Sequence, residues 1–175
     1  MHILAALRRR RQVRAIANLE SRLQAAKDRH RPPILAQLAL RYEAVGRDHD
    51  AHAAHEEVLA SRNPDVSAYA ALWLGTEREA ADSPAEAEAF FEQAMLFRTE
   101  EAFQAAYALA GLRSKRGSIE AARRPLRFAA TSANPDLACS ATMALSALAE
   151  QRGNDWGART LRERAERIGL SKALA

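Results

Sequence analysis

One turn position recurs along this chain, at Gly46, Asp82, Gly117 and Gly153, with spacings of 36, 35 and 36 residues. Each turn follows a Leu paired with a small residue: Leu38-Ala39, Leu74-Gly75, Leu109-Ala110 and Leu145-Ser146. Each is followed by an Ala slot, held by Ala51, Ala87, Ala122 and Ala158. Two further slots lie beyond: His55, Phe91, Leu126 and Arg162, then Val58, Ala94, Ala129 and Ala165. Small residues at a fixed register let two helices approach closely, and the Leu fills the space beside them. A Gly in the turn takes the left-handed conformation that ends a helix. One such hairpin cannot bury its own apolar face, so the units must stack.

Composition agrees with helix throughout. Ala is abundant, while the chain has only 7 Gly and 6 Pro and few β-branched residues. Ser83-Pro84-Ala85-Glu86 reads as a capping box, with a Ser cap, Pro at the first helical position and a carboxylate reaching back. Asn63-Pro64-Asp65 and Asn134-Pro135-Asp136 read as stops that also cap the next helix. Pro125 falls inside a helix, where it removes a hydrogen bond and predicts a kink. Residues 12–30 form a predicted helix with Val13, Ile16, Leu19 or Glu20, and Leu23 at helical spacing; Arg31-Pro32-Pro33 ends it.

The net charge of +4 is unevenly placed. Residues 1–31 carry nine Lys/Arg against two acids, residues 32–157 twelve against eighteen, and residues 158–175 five against two. The basic ends and acidic middle are unlike a uniformly basic nucleic-acid binder. Arg8, Arg9, Arg10 and Arg11, with Arg14, are the densest charge cluster, a basic N-terminal arm suited to phosphates or an acidic protein surface. No aromatics interleave with them to stack on bases, which favours an acidic protein. The single Cys139 excludes an internal disulfide and reads as a small buried thiol. The opening MHILAALRRRR has its apolar stretch before its charges, the reverse of a secretory signal. A cytoplasmic location is the expectation.

No nucleophile–base pairing, phosphate-binding loop or other catalytic motif is visible, so no enzyme activity and no cofactor are expected. His49, His52 and His55 raise a metal reading, but there is no HExxH pattern, and His55 occupies a packing slot. The expectation is a core imidazole and no metal.

Leu74-Gly75 with Ala87-Phe91-Ala94, and Leu38-Ala39-Tyr42-Gly46-Ala51, resemble the tetratricopeptide repeat over about residues 33–169. Departures are Leu35, Ala71, Ala106 and Thr142 in the early aromatic slot, and His55 and Arg162 in the late one. The resemblance implies an all-α, right-handed αα-hairpin repeat solenoid. Its expected organisation is an arm and capping helix at 1–31, four hairpins at 32–170 and a tail at 171–175. It also implies a groove lined by first helices, whose slots fall at Leu40, Tyr69, Leu72, Thr76, Glu79, Tyr107 and Met143. The carboxylate clamp of chaperone-binding members is absent. The groove reads as apolar with acidic edges, suited to a partner's amphipathic helix or a peptide with basic flanks.

The leading expectation is therefore a non-enzymatic protein–protein interaction scaffold or adaptor. An RNA- or ribosome-associated protein anchored by the arm is the first alternative, and a ligand- or peptide-sensing regulatory domain the second. Self-association through a terminal helix stays open.

Overall fold

The structure, a computed structural model, describes residues 2–173, with side chains described for residues 10–172. Among the described residues it is all-α, with no strand. The helices are α1 (His2–Ala25), α2 (Arg31–Val45), α3 (Asp48–Ala60), α4 (Ser67–Ala80), α5 (Pro84–Ala94), α6 (Glu100–Lys115), α7 (Ile119–Ala129), α8 (Pro135–Gln151) and α9 (Asp155–Ala173). A 3-10 turn, Asp28–His30, precedes α2. The chain divides into two compact units, one ending at Leu74 and the other beginning at Gly75.

All four recurrent turn residues take the left-handed conformation: Gly46 at φ 72°, Asp82 at 55°, Gly117 at 74° and Gly153 at 72°. This geometry lets the next backbone N–H reach back to a carbonyl of the last helical turn. Arg47 N donates to Tyr42 O, Ser83 N to Arg78 O, Ser118 N to Arg113 O and Asn154 N to Ala149 O.

In the first unit, α2 packs between α1 and α3. Ile16 and Leu19 of α1 meet Ile34, Leu38, Ala39 and Tyr42 of α2, with Ala51 and Ala54 of α3. Arg31 fastens this corner, donating to Leu23 O at 3.3 Å and to Glu57 Oε1 at 3.0 Å. Two expectations are corrected here. Residues 2–11 continue α1 without a break, so the helix does not begin at residue 12; the side chains of Arg8 and Arg9 lie outside the described residues. Pro32 and Pro33 open α2, where a first-turn Pro sacrifices no helical hydrogen bond.

In the second unit, α5 packs on α6, α6 on α7, α7 on α8 and α8 on α9. The Ala slot is buried at Ala87, Ala122 and Ala158, and so is the small slot at Gly75, Ala110 and Ser146. Gly75 touches Phe91 closely: a Cβ there would lie 2.5 Å from Cε1 of the ring. Ser146 replaces an apolar contact with a hydrogen bond, its hydroxyl donating to Ala158 O at 2.8 Å. Asn134 caps α8, its Oδ1 accepting from Asp136 N and Leu137 N. In the first unit, Asn63 Oδ1 accepts from Asp65 N in a matching turn.

The capping box at Ser83 does not form. Ser83 makes no side-chain cap, and Glu86 instead pairs with Arg78 at 3.4 Å. Pro125 sits within α7 without ending it, fully buried. Arg113 Nη1 donates to Ala121 O, the carbonyl that Pro125 leaves without its helical N–H. Cys139 is half-buried, its thiol donating to Ala165 O. In α9, Ala165 is buried and Leu161 and Ile168 half-buried, while Arg159, Arg162, Glu163 and Arg167 face solvent. The helix continues to Ala173, past residue 171, where the sequence suggests a tail.

Candidate functional site

The second unit contains an apolar cleft between α6 and α8, of about 310 Å³. Tyr107, Gly111 and Ser114 line it from α6, and Ala144, Ala147 and Leu148 from α8. On α6 these residues fall at helical spacings of four and three, so they share a face. The cleft exists because Gly111, Ala144 and Ala147 put little bulk between the two helices. A Cβ placed on Gly111 would meet nothing within 4 Å. Tyr107 is 39% exposed, and Met143, one turn before Ala147, is 45% exposed. Tyr107 and Met143 therefore leave apolar surface exposed beside the concavity.

The other predicted groove residues distribute differently. In the second unit Thr76 is exposed, and Glu79 Oε1 accepts from Lys115 Nζ at 2.9 Å. Glu150 pairs with Arg162. Two acidic side chains along the first helices are thus engaged by basic side chains of the same chain. In the first unit Leu40 is 47% exposed and lines a separate cleft between α1 and α2, with Ala15, Leu19 and Arg41. Tyr69 and Leu72 are half-buried, and the Tyr69 ring lies 5.7 Å from that of His55. Arg10, Arg11 and Arg14 are exposed along α1.

The three histidines of α3 do not converge. His55 is buried, stacked on Trp73 at 4.4 Å, and its Nε2 lies 2.7 Å from Glu43 Oε1. His52 Nε2 lies 3.3 Å from Glu56 on the same helix, and His49 is exposed. Among the described residues no group of three or more His, Cys, Asp or Glu is placed to hold a metal ion. No described helix is long and apolar enough to cross a membrane.

Sequence reasoning missed one feature of the second unit. Arg123, Arg127, Arg152 and Arg164 converge around Leu145, Ala149 and Leu161 in a cleft of about 450 Å³. The spacing of Arg123 and Arg127 on α7 is visible in sequence, but their meeting with α9 is not.

Hairpins repeated at this register, with left-handed turns and small residues between helices, define an all-α helical-repeat solenoid. The chain is similar to a crystal structure of MamA, with 20% identity covering 92% of this chain and 90% of that one, at a TM-score of 0.66. It is also similar to a crystal structure of BtubC from P. vanneervenii, with 18% identity covering 98% of this chain and 79% of that one, at a TM-score of 0.66. At these identities the likeness is one of fold. No protein-family model and no curated protein sequence matches the chain.

Proposed function

We propose that this protein is a non-enzymatic interaction scaffold. The α6–α8 cleft holds an apolar stretch of a partner protein, presented on an amphipathic helix or an extended peptide. The observation that carries this is the cleft itself: small side chains on two successive first helices, flanked by exposed Tyr107 and Met143. Helical-repeat folds use such continuous inter-helix surfaces for binding. An aliphatic anchor fits a concavity of about 310 Å³, and an exposed Tyr at its rim adds rigid contact area.

A site-directed photo-crosslinker at Met143 tests the reading in cells. It should trap a discrete protein adduct, and Gly111→Leu should abolish that adduct by filling the cleft. Gly111 has open space around it and sits inside a helix, so Leu should raise stability by about 1 kcal/mol rather than lower it. An adduct that survives Gly111→Leu would overturn the proposal.

A further inference from the structure

The arginine cleft between α7, α8 and α9 shares no lining residue with the α6–α8 cleft. Arg123 and Arg127 come from one face of α7, Arg152 from the α8–α9 turn and Arg164 from α9. The wall at the start of α9 is fixed. Asn154 Oδ1 accepts from Gly157 N at 3.0 Å, and a Cβ on Gly157 would lie 2.5 Å from Asn154 Nδ2.

The charges here are incompletely matched. Glu120 accepts from Arg123 at 3.3 Å and pairs with Arg152 at 2.8 Å, so one carboxylate serves two guanidiniums. Among the described residues Arg127 and Arg164 form no ion pair. Four like charges around one cleft repel each other, and an anion entering it relieves that repulsion. Beside the cleft, the two carboxylate oxygens of Glu120 each draw one guanidinium nitrogen, of Arg152 and of Arg123, as an incoming carboxylate could do with Arg127 and Arg164. Leu145, Ala149 and Leu161 supply aliphatic surface between the charges. Among the described residues no aromatic side chain lines the cleft, so nucleic-acid bases would find nothing there to stack on.

We propose that this cleft docks an acidic segment of a partner protein, in which Asp or Glu side chains flank an aliphatic residue. The carboxylates pair with Arg127 and Arg164, and the aliphatic side chain rests on Leu145 and Leu161. Fluorescence anisotropy with the full chain tests this. The probe is a labelled synthetic peptide with a Glu pair on each side of a Leu pair. It should bind with an affinity that falls steeply as salt rises. Arg127→Gln combined with Arg164→Gln should weaken binding by about tenfold or more. Arg124→Gln, an exposed neighbour on α7 outside the cleft, should leave it unchanged. Circular dichroism checks that the double variant stays folded; if it does not, Arg164→Gln alone supplies the comparison. Equal binding of a Glu→Gln peptide, or unchanged binding by the Arg variants, would overturn the proposal. So would an oligouridylate of equal charge that binds more tightly through the same arginines.

Discussion

Arg113 satisfies the carbonyl that Pro125 abandons. Pro125 has no N–H to offer Ala121 O, and Arg113 Nη1 reaches that oxygen from α6 at 3.3 Å. The same guanidinium donates to Glu88 Oε2 at 3.0 Å and to Glu92 Oε1 at 2.5 Å on α5. One side chain thus ties three helices together, and its two carboxylate partners outweigh burial to hold it charged.

Arg113→Met should destabilise the protein by about 2–3 kcal/mol, since charge-assisted hydrogen bonds are lost from a largely buried site. The loss should shrink by about 0.5–1 kcal/mol in a Pro125→Ala background, where the restored N–H serves Ala121 O. Urea unfolding of the four-member cycle measures this coupling. Strict additivity would show that the two residues act independently.

Gly75 and Gly111 belong to the same unit but meet opposite environments. Gly75→Ala should cost about 1–3 kcal/mol, because the new Cβ collides with the buried Phe91 ring. Gly111→Ala should instead gain about 1 kcal/mol from helix propensity. Denaturant midpoints distinguish the pair, and a stabilised Gly75→Ala would refute the tight approach.

The left-handed turns predict opposite signs at two homologous positions. Gly117→Ala should cost about 1–2 kcal/mol, the penalty of placing a Cβ in that conformation. Asp82→Gly should gain up to about 1 kcal/mol, because the non-glycine residue already bears part of that penalty at φ 55°. Thermal melts of both variants provide the check.

Tyr42 gives the first unit a signature at high pH. Burial above all, then the hydrogen bond to Glu20 at 2.8 Å, pushes its pKa from 10 up to about 12. The folded chain therefore keeps a proton that the unfolded chain releases above pH 10. This contribution to stability is complete below pH 10 and declines as pH rises to about 12. Tyr42→Phe should be less stable at neutral pH and should lose less stability across that window. Parallel slopes for the two proteins would disprove the assignment.

The parts of the fold legible in sequence were the periodic ones. Leu-small pairs, Ala slots and turn positions encode their roles within a few residues, so Asp82 was recognisable as a turn even without glycine. Features that depend on distant partners were not legible. The Ser83 box looked complete locally, yet Glu86 found Arg78 instead. The rescue of Pro125 relies on a residue 12 positions earlier, on another helix. The continuity of α1 was hidden because the apolar opening and the arginine run read as an arm, while each arginine is a good helix former. At the candidate site, Tyr107 was visible as a groove position, and Gly111 and Ser114 could be placed beside it by helical spacing. Leu40 could not be assigned to its α1–α2 cleft, because that requires knowing how α1 leans on α2.

Within each unit, the packing of helices chiefly on their neighbours in sequence has a kinetic consequence. Such contacts close only short loops, so little chain entropy opposes the first productive encounters. Each unit should then assemble hairpin by hairpin on a timescale of microseconds to milliseconds, as expected for chains of low contact order. As the chain leaves a ribosome, the preceding helix within a unit is already there to receive the next, so few apolar faces of that unit stand uncovered.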